Sequence, residues 1–513
     1  MVLFFNHKFK ENKMAKPLIC LCLTGKTLEE DLEIAEKYRP YIDIVELRVD
    51  WLDEDERLKI RNFPERVGLP TILTIRRISD GGKYDEGEAS RALLFARALA
   101  FADEDRRKNF AYVDFEDDFY VAGLQEAALA FGTKIIRSFH DMKNPVPNIV
   151  EKLDSMRTTG YEIPKVAFMP HALADVTQVS KEIAGKLNGS EQIICGMGPI
   201  GFPTRVLAQR FDSYLTFTSP KELSENLFAI GHTDPITLKE LYHYNKIDEN
   251  TKIFGITGFP LIATGSPALH NAKFAENRMN AVYIPFRADS AKDAFDFAVQ
   301  MGMKGYSVTV PHKEEIMQFL DEIDETAKNI GAVNTVINEG GKWKGYNTDF
   351  LGFSKALLEF SGLTDLKGKS VSVIGAGGAA KAIVYALLSL GADVLICNRT
   401  KLKSRQLSRI YGCEFAGLGV DCIAQIQTHS DIIVQTTSKG MNATGEPNEN
   451  NDPLWFYDFT GNELLFDIVY EPSVTPVMKR AQDAGCKVCN GLKMLQYQGE
   501  AQFSMFKDAY ERS

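Results

Sequence analysis

No apolar run in this 513-residue chain approaches the length needed to span a bilayer. Positive charge is in deficit: 59 lysines and arginines face 69 aspartates and glutamates, leaving a net charge of −10 and a pI near 5.5. Such a balance argues against a nucleic-acid partner or an anionic membrane surface, although a local basic pocket is compatible with it. Paired cysteines are also wanting. The eight cysteines are scattered, and Cys20, Cys22, Cys195 and Cys397 sit inside apolar runs, which suits buried free thiols in a reducing cytoplasm. Cys486 and Cys489 make one C-x-x-C with neither a second pair nor neighbouring histidines, so no metal site is expected. A signal-peptide core is missing too: residues 2–5 are apolar but too few, and no small-residue cleavage site follows. Met14-Ala15-Lys16-Pro17 reads as a second candidate start behind a short tail. What remains is ordinary globular composition, 44% hydrophobic and 25% charged, in a length that holds two or three domains.

Residues 371–401, VSVIGAGGAAKAIVYALLSLGADVLICNRTK, form the clearest local unit. A short apolar run over 371–374 fits a buried parallel strand, and Gly375, Gly377 and Ala380 follow in G-x-G-x-x-A spacing. The first glycine allows a tight turn, the second lets a pyrophosphate approach the backbone, and the alanine lets helix pack close to strand. The spacing predicts a helix over 379–390, stopped by Gly391, and a second strand over 393–397. Phosphates would sit on the helix N-terminus. The end of the second strand lacks the carboxylate that takes the ribose 2′-hydroxyl of NAD. It carries Asn398, Arg399, Thr400, Lys401 and Lys403 instead, and a guanidinium pairs with a 2′-phosphate where a carboxylate would repel it. The cofactor expected is NADP(H).

From residue 18 to 219, strand-like runs alternate with segments able to hold a helix. The runs are 18–23, 43–49, 71–76, 111–115, 133–139, 165–169, 192–195 and 214–218, with helices expected over 29–38 and 89–102 among others. Eight βα units predict a closed parallel (β/α)8 barrel, whose chemistry belongs at the C-terminal strand ends. Polar residues gather there: Glu46 and Arg48, Arg76 and Arg77, Asp114 and Glu116, His140 and Asp141. Lys165 stands inside an apolar strand. Desolvation or a neighbouring positive charge would free its amine to attack a carbonyl, and a nearby histidine would move protons on the resulting imine. Arginines on the rim point to an anionic substrate, or to salt bridges with Glu46 and its neighbours.

Glu46-Leu47-Arg48, Arg76, Ser138-Phe139-His140-Asp141 and Ile163-Pro164-Lys165-Val166-Ala167-Phe168-Met169-Pro170 together resemble a type I 3-dehydroquinate dehydratase. The resemblance implies Lys165 as the Schiff-base residue and His140 as the general acid/base. It implies that Glu46, Arg48 and Arg76 hold ring hydroxyls and that Arg205 pairs with the substrate carboxylate. Asp80 falls where the family has a glutamate that orients the histidine. The family's closing Ser-Ala-Pro-Gly-Gln loop is replaced by residues 229–235, where Asp234 is expected to repel a carboxylate and His232 is a substitute contact or an exposed loop residue.

Residues 236–250 read as a helix and linker, with a domain boundary between Asp248 and Lys252. Beyond it, hydroxyls at Thr264 and Ser266 suit a carboxylate, and Lys313 and Asp349 can share a proton with a substrate hydroxyl as hydride leaves the carbon. These clusters, with Gly331-Ala332-Val333-Asn334-Thr335, Asp467-Ile468-Val469-Tyr470 and the stretch from Asn490 to Gly499, resemble shikimate dehydrogenase from residue 252 onward. By that resemblance Lys313 and Asp349 are the catalytic pair. Thr264, Ser266, Thr309, Asn334, Tyr470 and Gln498 bind substrate. Gly375, Ala376, Gly377, Gly378, Ala379, Asn398, Arg399, Thr400 and Lys403 bind NADPH. Thr264 stands where the family usually has serine, and Lys403 where arginine is common.

The expected architecture is α/β throughout. A dehydratase barrel spans 15–247, and a substrate domain spans 251–350, completed by a C-terminal helix within 490–513. A Rossmann domain spans 351–489. The expected work is dehydration of 3-dehydroquinate to 3-dehydroshikimate, then reduction to shikimate, by a cytoplasmic monomer or homodimer. The alternatives are a quinate/shikimate dehydrogenase of relaxed specificity and a pathway sensor without turnover.

Overall fold

The computed structural model describes residues 16–512, apart from 101–102, 187–190, 224–232, 262–263, 442 and 444. The first half contains β1 (Leu18–Leu23), β2 (Ile44–Arg48), β3 (Thr71–Thr74), β4 (Tyr112–Glu116), β5 (Lys134–Asp141), β6 (Glu162–Phe168), β7 (Ile193–Gly196) and β8 (Leu215–Thr218). They hydrogen-bond in the order β7-β6-β5-β4-β3-β2-β1-β8, through parallel ladders. Between β7 and β8 the ring is bridged by Tyr214 N–H donating to Gln192 O over 2.6 Å, so the expected barrel is nearly closed. β6 begins at Glu162, ahead of the expected 165, because the fixed φ of Pro164 suits an extended strand and forfeits one donor only.

Side chains of a strand alternate between faces, so every second residue points into the ring. One inward row is Cys20, Ile44, Ile72, Tyr112, Ile136, Ile163, Ile193 and Leu215, a buried and mainly apolar floor. Two residues further along every strand comes Cys22, Glu46, Thr74, Asp114, Ser138, Lys165, Cys195 and Phe217, also buried. The site therefore begins one layer above the floor.

The stretch expected as a helix and linker holds a wide turn of π-helix (Thr237–Leu241) and a 3₁₀ turn (Tyr244–Lys246), parted by His243 at φ +51°. Asp234 starts the first turn, accepting from Thr237 N at 2.9 Å and Thr237 Oγ1 at 2.6 Å. It caps a turn. The rest of that altered loop, 229–232 with His232, lies outside the described residues.

The chain divides into two compact units: residues up to 255 with 260–303, and 256–259 with 304–513. In the first unit the helix Ala291–Gln300 lies against the barrel helix Leu173–Ile183, where Gln300 Nε2 donates to Ser180 Oγ at 3.3 Å. β9 (Lys252–Thr257) starts in this unit, beside β10 (Ala281–Pro285), and ends in the other. The second unit adds β11 (Gly305–Val308), β12 (Glu322–Ile323), β13 (Thr335–Glu339) and β14 (Lys342–Tyr346), in the sheet order β10-β9-β11-β13-β14-β12.

Six parallel strands follow in the second unit: β15 (Ser370–Ile374), β16 (Asp393–Asn398), β17 (Glu414–Gly417), β18 (Ile432–Gln435), β19 (Leu464–Asp467) and β20 (Lys487–Cys489). Their order β17-β16-β15-β18-β19-β20 is the doubly wound 3-2-1-4-5-6 arrangement, with its switch point beside β15. The C-terminal helix Leu492–Glu511 packs on the helix Asp349–Ser361. Gly352 permits the close approach: a Cβ there would lie 2.7 Å from the Met494 carbonyl oxygen. No helix among the described residues is long and apolar enough to cross a membrane.

Candidate active sites

In the barrel, Lys165 is 5% exposed and its Nζ lies 3.0 Å from Asp114 Oδ2 and 3.9 Å from Glu46 Oε1, over the face of Phe217. The groups in direct contact with the amine are carboxylates, and the Arg76 guanidinium sits on the other oxygen of Asp114. Asp114 also meets Arg76 at 2.8 Å and accepts from Ser138 Oγ. Arg76 continues to Glu116 at 2.8 Å, and Glu116 to the fully buried Arg91 at 2.6 Å. Burial alone would raise the Asp114 carboxyl, but Arg76 and Lys165 outweigh it and hold the group far below the usual carboxylate range. The terminal nitrogens of Arg76 thus take part in a buried charge chain. Arg48 makes a two-pronged contact with Asp50 at 2.9 and 2.8 Å, and Arg205 Nε donates to Gly196 O at 3.1 Å.

His140 follows on β5. Burial pushes its imidazole well below 6.5, helped by Arg76 and Lys165. It is therefore neutral near pH 7, as a proton acceptor must be. Its Nδ1 is buried with no hydrogen-bond partner among the described residues. Asp80, expected as its orienting carboxylate, accepts from Arg77 Nε at 2.9 Å and Ser79 Oγ at 2.6 Å instead. The shorter aspartate is taken by the arginine three residues before it.

In the second unit, Lys313 Nζ and Asp349 Oδ2 meet at 2.6 Å. Lys313 lies in the segment after β11, and Asp349 opens its helix. Asn334 Nδ2 donates to Asp349 Oδ1 at 2.8 Å and to Thr348 Oγ1 at 3.0 Å, fixing the carboxylate. Gln498 Oε1 accepts from Thr348 Oγ1 at 3.4 Å. One helical turn on, Gln502 donates to Thr335 Oγ1 at 2.8 Å and accepts from Ser307 Oγ at 3.0 Å, a brace that the sequence reading passed over. Thr309 N donates to Thr257 O at 2.9 Å, and its methyl group leaves room for glycine alone at Gly258. Tyr470 is half-buried after β19. In the first unit, Thr264 Oγ1 and Ser266 Oγ lie 3.1 Å apart at the start of the helix Ser266–Glu276.

The glycine turn suits a dinucleotide. Gly375 holds φ +120°, and a Cβ there would strike Thr436 Oγ1 at 2.4 Å. A Cβ at Gly377 would meet nothing within 4 Å, so the backbone stands open to a phosphate at the N-terminus of the helix Gly378–Ser389. Ala376 and Ala379 are half-buried around it. At Gly378 a Cβ would lie 3.6 Å from Lys313 Cδ, so the turn adjoins the lysine–aspartate pair. At the end of β16, Asn398 folds onto Thr400 O, while Arg399, Thr400 and Lys403 are exposed. The donor set fits a phosphorylated ribose.

Three family models match the chain in order. They are type I 3-dehydroquinase over residues 19–249, shikimate dehydrogenase substrate binding domain over 256–336, and shikimate/quinate 5-dehydrogenase over 356–483. The bifunctional 3-dehydroquinate dehydratase/shikimate dehydrogenase of Arabidopsis thaliana, a chloroplastic protein, is 31% identical over 95% of this chain and 82% of its own. The NADP+ shikimate dehydrogenases of Caldanaerobacter subterraneus and Aquifex aeolicus are 40% and 39% identical, each over 51% of this chain and 93% of theirs. With a barrel and a dinucleotide fold in one polypeptide, and a relative aligned along both, the chain belongs to the family of bifunctional 3-dehydroquinate dehydratase/shikimate dehydrogenases.

Proposed function

We propose that the chain performs two consecutive reactions, dehydrating 3-dehydroquinate to 3-dehydroshikimate and reducing that ketone to shikimate with NADPH. The observation that carries the first step is the buried Lys165 amine beside Asp114 in a site that keeps His140 neutral. Lys165 attacks the ketone carbon and water leaves, giving an imine that acts as an electron sink. His140 takes the proton alpha to the imine and returns one to the departing hydroxyl, which leaves as water; a second water then hydrolyses the imine, releasing 3-dehydroshikimate and the Lys165 amine. Glu46, Arg48 and Arg76 shape the pocket, and Arg205 is assigned to the substrate carboxylate.

For the second step, bound NADPH supplies the hydride. Lys313 and Asp349, 2.6 Å apart, deliver the proton to the carbonyl oxygen, and Asn334 keeps Asp349 aimed. Thr264, Ser266, Thr309, Tyr470 and Gln498 are assigned to the substrate. The opened backbone at Gly377 receives the pyrophosphate, and Arg399 with Thr400 and Lys403 receives the 2′-phosphate. We assign 15–247 to the dehydratase, 251–350 with 490–513 to the substrate domain and 351–489 to the cofactor domain. Eight free thiols, six of them buried, favour a reducing compartment such as the cytoplasm.

The test is a coupled assay. With 3-dehydroquinate and NADPH supplied together, the enone absorbance should rise transiently and NADPH should then fall. Enone without NADPH loss, or neither signal, would sink the two-step reading. Turnover of quinate as fast as shikimate, or of NAD as fast as NADP, would replace the second step with a broader dehydrogenase.

A further inference from the structure

Cys22 reads from the sequence as a core-filling thiol, and its exposure of 3% agrees with that. Its contacts say more. Cys22 Sγ donates to Glu46 Oε2 over 3.1 Å, while Thr74 Oγ1 donates to Glu46 Oε1 over 2.9 Å. Glu46 is on β2, and the donors come from the strands on either side, β1 and β3. A carboxylate gripped at both oxygens from opposite sides cannot rotate about its last bond. The oxygen that meets Thr74 is the one 3.9 Å from Lys165 Nζ. We propose that Cys22 is a positioning residue of the dehydratase, whose thiol fixes the plane of the Glu46 carboxylate toward Lys165. The proposal rests on the roles of Lys165 and Glu46 given above. Burial, with Glu46 adding to it, pushes the thiol well above 9.0, so it keeps its proton and remains a donor.

The molecule supplies its own control. Cys20, two residues earlier on the same strand and fully buried, belongs to the floor beneath. Cys22→Ala, Cys22→Ser and Cys20→Ala are made in the full-length chain, and Cys22→Ala also in a Glu46→Gln background. Dehydratase kcat and KM, reductase turnover and borohydride trapping at Lys165 are measured in each. Losing a hydrogen bond to a charged group is worth about tenfold, so Cys22→Ala should lower dehydratase kcat/KM by roughly that factor. Cys22→Ser, which keeps a donor, should recover most of it, and Cys20→Ala should stay within about twofold of the parent. In the Glu46→Gln background, Cys22→Ala should cost nothing further, because the group it positions has been altered. Borohydride trapping at Lys165 should still go to completion in the Cys22 variants, and the denaturant midpoint of the barrel should stay near the parent's, which separates positioning from unfolding. Parent-like activity in Cys22→Ala overturns the proposal. So does a Cys22→Ser enzyme as impaired as Cys22→Ala, or a loss that adds in full to Glu46→Gln. Absence of trapping at Lys165 in the parent removes the underlying reading instead, and the proposal falls with it.

Discussion

In the barrel, Lys165 is ringed by side chains from neighbouring strands, and Asp114, Arg76, Glu116 and Arg91 are already bonded to one another before any substrate arrives. In the second unit, Lys313 and Asp349 come from a loop and a helix start, with Asn334 as brace, and the basic turn at Arg399 stands exposed. The first arrangement follows from a nearly closed ring of parallel ladders. Once the register is set, period-two alternation forces one side chain per strand into the same layer, and buried charges must then neutralise each other locally. The second arrangement follows from an open sheet, whose ligands bind outside the strand ends. A substitution in the barrel should therefore cost stability and activity together. One in the reductase should cost activity with little effect on folding.

The largest expected effect tests whether the halves are chemically independent. Lys165→Ala should abolish dehydration and borohydride trapping while NADPH-dependent reduction of 3-dehydroshikimate continues; loss of both activities would break the comparison. Next, Asp349→Asn should lower reductase kcat by about 10²- to 10⁴-fold, the usual worth of positioned acid–base catalysis, with dehydratase turnover and thermal unfolding unchanged. Asp114→Asn should do the reverse. It strips a buried partner from Arg76 and Lys165, so denaturant unfolding of the barrel should lose about 3–5 kcal/mol while the reductase keeps its rate. If instead Asp349→Asn destabilises as strongly, the contrast between a linked chain of buried charges and a single ion pair is wrong. Arg399→Ala should raise the KM for NADPH about 10- to 100-fold and leave that for NADH unmoved, as expected for charge-assisted bonds to one phosphate.

The smallest effect is a pH response. The depressed His140 stays neutral below its ordinary 6.5, so dehydratase kcat/KM should remain flat as pH falls from about 7.5 to about 6.5. The folded state binds fewer protons there than the unfolded chain, so stability should decline as pH drops through that window. A rate already halved at pH 6.5 would mean the imidazole is not shielded as the geometry indicates.

Much of this was legible in the residues. Eight apolar runs with polar ends announced the barrel, and the G-x-G-x-x-A turn announced the dinucleotide unit. Placing Asp114 against Lys165 needed the register of β4 with β5 and of β5 with β6, which separate runs do not reveal. Asp80 misled because position in the chain says nothing of Arg77, which reaches it first. The 236–250 stretch had helical spacing, but Asp234 caps only a single wide turn and His243 leaves the helical region. Gln502 was overlooked although it lies four residues past Gln498, on the same helical face.

β9 begins among residues that cluster with the barrel and ends among those that cluster with the reductase. A gene cut near residue 250, the natural place by sequence, would part residues 260–303 from the compact unit they share with the barrel. The truncated barrel would bare the helix Leu173–Ile183 where Ser180 now meets Gln300 and Met301, and the reductase fragment would bare the matching side of Ala291–Gln300. For anyone dividing this enzyme, no single cut respects both compact units, because 256–259 belong with 304–513 while 260–303 belong with the barrel.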